Sequence, residues 1–523
     1  MTTLTFHGAA GTVTGSCFRL HTANGDVLVD CGMFQGTKTV RELNYRPFPF
    51  NPASMRAVLL THAHIDHSGL VPKLTRLGYR GPVYATPGTV DLLAYMLPDS
   101  GYIQETEVER LNRRNRQRGR GAVQPIYTGE DAHDALKRLK AVEYDRWIEV
   151  IPGVRARFWQ AGHILGSASV EVEVANRKGP IRILFSGDLG PGGKAFHEDA
   201  EAPTTPDWLV METTYGDRTR TDLGNEERQA LLAAEVRAAL KAGGPLLIPV
   251  FAVERTQELL YDLDRLFDNG VLPPVEVFLD SPLADAVTGV FRNHLDDIGS
   301  AGDDPFTRPN FRRVRSVAES QKLNAIRGGA IIMAASGMCD AGRIRHHLKN
   351  HLWRPETTVL MVGYQAPGTL GRTLQQGAAR VRIHGEEIEV RARIRSLDVY
   401  SGHADRNRLL SWLDERQGVG RGLFLVHGEP EAREAIRRDL LAKGWDADAI
   451  HVPDLDETVD LTQARPRAME PTGARLPSTA LGAADWHNRY AETLLELGEA
   501  LRAAPDDRTR EHLLERIRRA IPR

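Results

Sequence analysis

The segment THAHIDHSG, residues 61–69, constrains the fold and chemistry of this 523-residue chain more than any other stretch. Four side chains that commonly bind metals fall within six positions of it: His62, His64, Asp66 and His67. An extended backbone alternates its side chains, which predicts one shared face for His62, His64 and Asp66 before the chain turns into a helix. One segment rarely gives a single zinc ion so many ligands, so the pattern predicts two neighbouring metals, the first on the two leading histidines and the second on Asp66 and His67. The alternative, a polar loop that is merely rich in histidine, is disfavoured because buried histidines rarely crowd together without a charge to hold them.

Composition excludes several classes of protein. With 41% hydrophobic and 26% charged residues, the chain has the composition of a globular protein, and its length predicts about two or three domains. The net charge of −2 argues against a uniformly basic surface but permits a local basic cleft. Cys17, Cys31 and Cys339 form no CxxC pair, so neither sulfur ligands nor a disulfide-linked partner is expected. Without a signal peptide or a long apolar run, the chain is predicted to be a cytoplasmic enzyme that does not enter membranes.

Three more side chains of the ligand type stand where strands or turns end. Asp30 closes the apolar run DVLVD, where it is either an acceptor for a metal-ligating imidazole or an ordinary turn cap. His163 is the one histidine in the small, apolar turn AGHILGS, which makes it the natural third imidazole for the first metal. Asp188 follows the strand-like run IRILFS between two glycines, and its two oxygens can bridge two ions. Each position taken alone is more often structural, but their order along the chain favours ligands.

A basic run occupies residues 111–121, LNRRNRQRGRG, within a region, 98–150, that has little regular periodicity. Its arginines are Arg113, Arg114, Arg116, Arg118 and Arg120. Beside a metal site such a run can hold a polyanion, although more often it is a solvated loop. The sequence leaves both interpretations open.

Strand-like and helical segments alternate between residues 245 and 362, which predicts a mostly parallel sheet covered by helices. This region reads as a separate domain inserted into the first. In such sheets ligands bind at the carboxyl ends of the strands, where helix starts and small residues suit phosphate. The residues expected to contact substrate there are Arg255, Ser336, Gly337, Thr369 and Arg372. Simple turn chemistry is the alternative for each loop taken alone.

The metal-binding motifs, taken in order, resemble those of a known family. Asp30, the HxHxDH segment at 62–67, His163 and Asp188 are similar to the successive motifs of the metallo-β-lactamase superfamily. That resemblance implies an α/β protein, specifically an αββα sandwich with two metals at one edge, and a hydrolytic activity. It does not name the substrate.

Three later motifs resemble those of the β-CASP branch of that superfamily. They are ETTYGD starting at Glu212, YSGHAD around His403, and LVHGE around His427. The branch includes the pre-mRNA 3′-end cleavage endonuclease and similar bacterial and archaeal ribonucleases. The resemblance extends from residue 1 to near residue 460 and implies an inserted α/β β-CASP domain, with a helical C-terminal tail beyond it.

The resemblance also implies domain limits. They are 1–208 for the first part of the metallo-β-lactamase domain, 209–391 for the inserted β-CASP domain, 392–462 for the returning part, and 463–523 for a linker and helical extension. Helices are predicted over 486–503 and 508–520. They would pack on the body or on a second subunit, which leaves a homodimer open.

The implied function is that of a zinc-dependent ribonuclease with two Zn²⁺ ions, or with Mn²⁺ as the alternative metal. The implied ligands are His62, His64 and His163 on one ion, Asp66, His67 and His427 on the other, and Asp188 between them, with Asp30 supporting a ligand from behind. A hydroxide activated by both metals would attack an RNA phosphodiester while His403, tuned by Glu212, protonates the leaving 3′-oxygen. The expected catalytic residues are His403, Glu212, Asp66 and Asp188. The products would be a 5′-phosphate and a 3′-hydroxyl.

Several alternatives stay open for the reaction and its role. The enzyme would be an endonuclease, with additional 5′ exonuclease action left open, in RNA processing or decay. A DNA nuclease of the same fold is the first rival, because only contacts to the 2′-hydroxyl would separate the two substrates. The second rival is a non-catalytic RNA-binding subunit of a processing complex. It is disfavoured because such proteins lose ligands and this chain retains them.

Overall fold

The computed structural model describes most of the chain. The described residues are 2–194, 196, 198–220, 224–295, 304–366, 368–416, 418–469, 474–476, 493, 497, 498, 500, 501 and 504–520. The predicted helix over 486–503 therefore lies almost wholly outside them.

The first part of the chain alternates strands with helices. Its strands are β1 (Thr3–Phe6), β2 (Phe18–Thr22), β3 (Gly25–Val29), β4 (Met55–Leu59), β5 (Val83–Ala85), β6 (Leu139–Ala141), β7 (Ile148–Ile151), β8 (Val154–Gln160), β9 (Ala168–Val174), β10 (Ile181–Phe185) and β11 (Trp208–Glu212). Its helices are α1 (Lys38–Arg41), α2 (Ile65–Ser68), α3 (Val71–Arg76), α4 (Pro87–Gln117) and α5 (Gly129–Leu136).

The middle part begins with a long helix and then alternates strand with helix. In chain order its elements are α6 (Asn225–Ala242), β12 (Leu246–Pro249), α7 (Arg255–Asp268), β13 (Glu276–Leu279), α8 (Pro282–Asn293), β14 (Phe311–Arg313), α9 (Val317–Leu323), β15 (Ala330–Ala334), α10 (Ile344–His351), β16 (Thr358–Met361), α11 (Leu370–Gln375), β17 (Arg380–Ile383), β18 (Glu386–Glu389) and β19 (Arg393–Ser396). The last part contains α12 (Arg406–Asp414), β20 (Gly422–Val426), α13 (Pro430–Ala442), β21 (Ile450–His451), β22 (Thr458–Asp460) and α14 (Asp507–Ala520).

Two seven-stranded sheets form a sandwich, built from strands of the first part of the chain and from three strands of the last part. Their strand orders are β22-β1-β2-β3-β4-β5-β6 and β21-β20-β11-β10-β9-β8-β7. The ring of Phe424 lies 5.1 Å from that of Phe6 and stacks on Trp208 at 5.6 Å. All three rings are fully buried, so the returning strand β20 is held in the core by aromatic contacts as well as by its pairing with β11.

The middle part carries a third sheet with strand order β14-β13-β15-β12-β16-β19. Every pairing in it is parallel. The predicted alternation of strands and covering helices is therefore confirmed, as is the mixed α/β class of the whole chain. The carboxyl ends of these strands share one edge, which places their following loops side by side.

The region around the arginine run differs from the prediction. Helix α4 continues through Pro98 as far as Gln117, so Arg113, Arg114 and Arg116 lie on a helix rather than in an irregular loop. A proline inside a helix costs about 3 kcal/mol. The helix persists because side chains of its first half, including Leu92 and Leu93, are fully buried in the core. Periodicity alone could not reveal that tertiary packing overrides the proline.

Among the described residues, no helix has both the length and the apolar character needed to cross a bilayer. Cys17, Cys31 and Cys339 are buried as free thiols. In the tail, α14 matches the helix predicted over 508–520.

A buried carboxylate connects the start of the chain to residues beyond the last strand. Asp456 accepts hydrogen bonds from the backbone amide and the Nε of Arg475, both at 3.0 Å, and lies 2.9 Å from Nδ1 of His7. Burial alone would raise the pKa of Asp456, but His7 and Arg475 outweigh it and lower that pKa to about 2. The charged carboxylate thus stabilises the folded state above its unfolded pKa of about 3.9, and this contribution is lost as the pH falls toward 2.

We predict that Asp456→Asn lowers the free energy of unfolding by about 2 kcal/mol at pH 7. The difference from the wild type should shrink below about pH 4, because the Asp456 carboxylate of the unfolded chain then takes up a proton while that of the folded chain stays charged until about pH 2. Urea unfolding at several pH values measures both effects. The exposed Asp448→Asn is the matched control and should leave stability unchanged; an equal loss in both variants would contradict the prediction.

Candidate metal centre

The histidine-rich segment connects β4 to α2 and is held in place by backbone contacts. Helix α2 begins at Ile65, with the extended residue His64 (φ −55°, ψ 145°) before it. Asp66 therefore lies in the first helical turn, and the expectation that it shares an extended face with His62 and His64 is wrong. The backbone turns one residue earlier because the hydroxyl of Ser68 donates to the carbonyls of Ala63 and His64 at 3.0 Å, which closes the turn.

Two backbone amides and one glycine fix the position of this turn. The amide of Ser16 donates to the carbonyl of Asp66, and that of Cys31 donates to the carbonyl of His67, both at 2.8 Å. Gly32 lies so close that a Cβ built on it would be 1.6 Å from the carbonyl oxygen of Asp66. A glycine is needed at position 32 because any side chain there would keep the two backbone segments apart.

The first cluster of donor atoms consists of His62, His64, His163 and Asp188. Nδ1 of His64 lies 3.0 Å from Nε2 of His62 and 3.1 Å from Nε2 of His163. Oδ2 of Asp188 is 3.5 Å and 3.6 Å from the same two Nε2 atoms. Ligands at a tetrahedral zinc ion stand about 3.3 Å apart when the Zn–N bonds are about 2.0 Å. The spacing of these donors therefore fits one metal ion.

The second cluster consists of Asp66, His67 and His427, with Asp188 beside it. The Nε2 atoms of His67 and His427 are 3.0 Å apart, and Oδ2 of Asp66 is 3.7 Å from that of His427. Oδ1 of Asp188 lies 3.3 Å from Nε2 of His67. Thus one oxygen of Asp188 faces each cluster. Oδ1 is buried and has no hydrogen-bond donor among the described residues, which is costly for a carboxylate unless a cation meets it.

Electrostatics differ between the two clusters. Burial holds the pKa of His62 and of His163 well below the ordinary value and lowers that of His64 to about 4. These imidazoles are therefore neutral, as metal ligands must be. Burial also lowers the pKa of His67, but the carboxylates of Asp188 and Asp30 outweigh it and raise that pKa well above the ordinary value. The second cluster thus favours a positive charge, which a proton or a metal ion can supply.

Each of four histidines has a polar partner at the ring nitrogen opposite the cluster. Asp30 lies 2.7 Å from Nδ1 of His67, as the sequence suggested, and it also accepts from the amide of Thr61 at 2.8 Å. The other partners are the Gly402 carbonyl for His163 at 2.6 Å, the Thr61 hydroxyl for His62 at 3.1 Å and the Thr214 hydroxyl for His427 at 3.0 Å. Such contacts fix the orientation of a ligating imidazole. Sequence reasoning missed these last three partners, whose only signal is that each lies within one of the quoted motifs.

His403 and Glu212 stand at the rim of the clusters. Nδ1 of His403 is 3.6 Å from Oε2 of Glu212 and 3.8 Å from Oδ2 of Asp188, and the side chain is 20% exposed. Glu212 is buried, and it accepts from the amides of Leu189 at 2.6 Å and Thr214 at 3.2 Å. The structure therefore brings both predicted residues to the metal edge, with the imidazole partly open to solvent.

The five predicted substrate contacts are placed less uniformly. Arg255 is buried, and its guanidinium lies 5.9 Å from the centre of the Tyr400 ring. Tyr400 precedes His403 by three residues in the sequence. Ser336 and Gly337 lie in the loop after β15. The side-chain amide of Gln365, in the loop that contains Thr369, donates a hydrogen bond to the carbonyl of Gly337 at 2.9 Å. Thr369 caps α11 by accepting from the amide of Arg372, whose side chain is exposed. For these last four, the described contacts give no direct link to the donor clusters.

Models of three known families match successive parts of the chain. Residues 10–242 match the metallo-beta-lactamase superfamily, residues 256–374 match the Beta-Casp domain, and residues 387–450 match the Zn-dependent metallo-hydrolase RNA specificity domain. The fold and the clustered donors thus define a metal-dependent hydrolase of the metallo-β-lactamase class.

Whole-chain relatives narrow this class. The chain is 39% identical over 445 residues to Ribonuclease TTHA0252 of Thermus thermophilus, which covers 84% of this chain and 95% of that protein. It is 30% identical over 440 residues to the transcription termination factor FttA of Methanosarcina mazei (81% of this chain, 66% of that protein). The same factor of Methanothermobacter thermautotrophicus is 31% identical over 443 residues (82% and 67%). The chain, which spans about two thirds of these archaeal factors, belongs to the β-CASP family of metallo-β-lactamase-fold RNA nucleases.

We predict that Gly32→Ala displaces the ligand-type side chains of Asp66 and His67, because the new methyl group would collide with the backbone of these two residues. The expected cost is about 2 kcal/mol of unfolding free energy, together with a loss of bound metal measured by atomic absorption. Gly121→Ala is the control, since a Cβ there meets no atom within 4 Å. Full metal content in Gly32→Ala would contradict the prediction.

Proposed function

We propose that this protein is a dinuclear zinc ribonuclease that cleaves RNA endonucleolytically in RNA processing or decay. The observation that carries the proposal is the buried carboxylate of Asp188, which turns one oxygen toward each donor cluster and leaves Oδ1 without a hydrogen-bond donor among the described residues. A single proton cannot satisfy both oxygens, whereas two cations can. Similarity to a named ribonuclease along 95% of its length favours RNA as the substrate.

The donor set suits two zinc ions, with Mn²⁺ as the alternative. The proposed ligands are His62, His64 and His163 for one ion, Asp66, His67 and His427 for the other, and Asp188 for both, while Asp30 orients His67. Nitrogen and carboxylate donors without thiolates are compatible with either metal. When bound, the pair supplies activated water and neutralises charge on the phosphate. The proposed domain limits remain 1–208, 209–391, 392–462 and 463–523.

The residues at the rim supply proton transfer. His403 has one nitrogen near Glu212 and is partly exposed, so a proton on the imidazole can reach the leaving 3′-oxygen of a bound RNA. The carboxylate of Glu212 faces this imidazole at 3.6 Å, and hydrogen bonds from the amides of Leu189 and Thr214 hold the carboxylate in place. Asp66 and Asp188 act through the metals. The products are a 5′-phosphate and a 3′-hydroxyl.

Arg255 is the strongest of the proposed substrate contacts. It lies buried between the inserted domain and the segment that carries His403, and its Nε and Nη1 have no hydrogen-bond partner among the described residues. Its nearest carboxylate, that of Glu258, is 3.9 Å away. A buried guanidinium with free donors suits a phosphate of the RNA backbone. Ser336, Gly337, Thr369 and Arg372 would contact more distant nucleotides.

The rivals make different predictions. A DNA nuclease would cut DNA as well as RNA of the same sequence, and a non-catalytic RNA-binding subunit would bind RNA without cutting it. The archaeal termination factors favour action on nascent transcripts, but the chain covers them only in part. Ribonuclease activity is therefore preferred to a role in termination.

We predict that His403→Ala lowers kcat for RNA by about 100-fold or more while bound zinc stays at the wild-type level. His427→Ala should instead lower the zinc content, because it removes a proposed ligand. The assay uses RNA and DNA of one sequence, labelled at the 5′ or the 3′ end, with and without chelator, and products are sized on gels. The exposed His133→Ala is the matched control.

The expected wild-type result is internal cleavage of RNA, abolished by chelator, with little cleavage of DNA. Equal RNA cleavage by wild type and His403→Ala would remove the proton-donor role. Chelator-resistant cleavage, or binding without cleavage, would contradict the proposed function itself.

A further inference from the structure

A row of aromatic and guanidinium groups leads away from His403 toward the inserted domain. The ring of Tyr215 meets that of His403 edge-on, with the ring centres 5.6 Å apart. The guanidinium of Arg218 lies 5.3 Å from the centre of the Tyr215 ring and 5.0 Å from that of Tyr364. These contacts join a loop of the inserted domain to the proposed proton donor through a single arginine.

Backbone hydrogen bonds fix this row beside His403. The amide of Arg220 donates to Oδ2 of Asp405 at 2.7 Å, and the amide of Arg406 donates to the carbonyl of Arg218 at 2.9 Å. Tyr215 and Asp405 also form a parallel β-bridge. Backbone hydrogen bonds and this bridge therefore tie the segment that carries Arg218 to the segment that carries His403.

The row is open to solvent and carries positive charge. Tyr364, in the loop after β16, is 38% exposed. The Arg218 side chain is 45% exposed, and its nearest described carboxylate, Asp217, is 3.7 Å away, too far for a good hydrogen bond. A second guanidinium, that of Arg220, covers Tyr215 at 4.3 Å. Exposed aromatic rings interleaved with arginine are what unpaired nucleotides bind.

We propose that Tyr364, Arg218 and Tyr215 form a subsite for one unpaired nucleobase next to the scissile phosphate. The base stacks on the ring of Tyr364, and Arg218 contacts the adjoining phosphate. A base inside a duplex cannot offer its face to Tyr364, so the subsite selects single-stranded RNA. This inference rests on the proposed ribonuclease activity and adds to it the form of substrate that the enzyme accepts.

The inference predicts a stacking defect rather than a chemical one. Tyr364→Leu should lower kcat/KM for single-stranded RNA about tenfold, mainly through KM, because stacking holds ground state and transition state alike. Tyr364→Phe keeps the ring and should behave as wild type. Trp353→Leu is the matched control: Trp353 is also an exposed aromatic of the inserted domain beneath a guanidinium, that of Arg354, but it precedes β16 and lies at the opposite sheet edge.

A substrate that lacks one base tests the partner of Tyr364. Once the main cleavage site of an RNA is mapped, the nucleotide on each side of it is replaced in turn by an abasic one. The wild-type enzyme should lose about tenfold in kcat/KM on one of these two RNAs. Tyr364→Leu should show no further loss on that RNA, since the missing base and the missing ring remove one and the same contact.

The outcomes separate this inference from the proposed function. Hydrolysis of bis(4-nitrophenyl) phosphate reports the metal centre alone and should be equal in wild type and Tyr364→Leu. Three results would each overturn the subsite. In the first, Tyr364→Leu loses activity on the small phosphodiester; in the second, it cleaves RNA as fast as the wild type. In the third, the loss caused by the abasic nucleotide and the loss caused by Tyr364→Leu multiply when the two changes are combined. A wild-type enzyme that hydrolyses the small phosphodiester but cleaves no RNA would refute the proposed function, and the subsite with it.

Discussion

The structure depends on one buried carboxylate shared by two groups of imidazoles. Asp188 is 2% exposed, and its two oxygens face opposite donor clusters at distances of 3.3 to 3.6 Å. Burial alone would raise the pKa of Asp188, but the facing His427 and His67 outweigh it and hold that pKa well below the ordinary value. An anion kept in so enclosed a place requires positive charge close by.

The fold places the donors for that charge at one edge although they are distant in sequence. Strand β4 delivers the first histidines, and β10 ends just before Asp188. The parallel pairing of β11 with β20 then sets Glu212 opposite Val426, so that His427 follows at the same edge. The inserted domain lies between these two paired strands in the sequence.

Much of this could be predicted from the sequence because the signals are local. The histidine spacing, His163 and the strand-end Asp188 predicted part of the donor set, and hydrophobic periodicity predicted the parallel sheet of the inserted domain. The positions of His427, His403 and Glu212 were implied by the resemblance to the β-CASP family. The failures have physical causes. Residues 98–150 show little periodicity, but core packing continues α4 to Gln117. The Ser68 hydroxyl closes a turn that starts α2 before Asp66. The Gly402 carbonyl that orients His163, and the Tyr215–Arg218–Tyr364 row, depend on contacts between distant segments, for which a single sequence has no signature.

Anomalous X-ray diffraction at the zinc edge, on crystals of the protein purified without chelator, tests the central claim most directly. Two peaks should flank Asp188, one within bonding distance of His62, His64 and His163 and the other beside Asp66, His67 and His427. A single peak, or none, with Asp188 Oδ1 hydrogen-bonded to a protein group instead, would contradict the account.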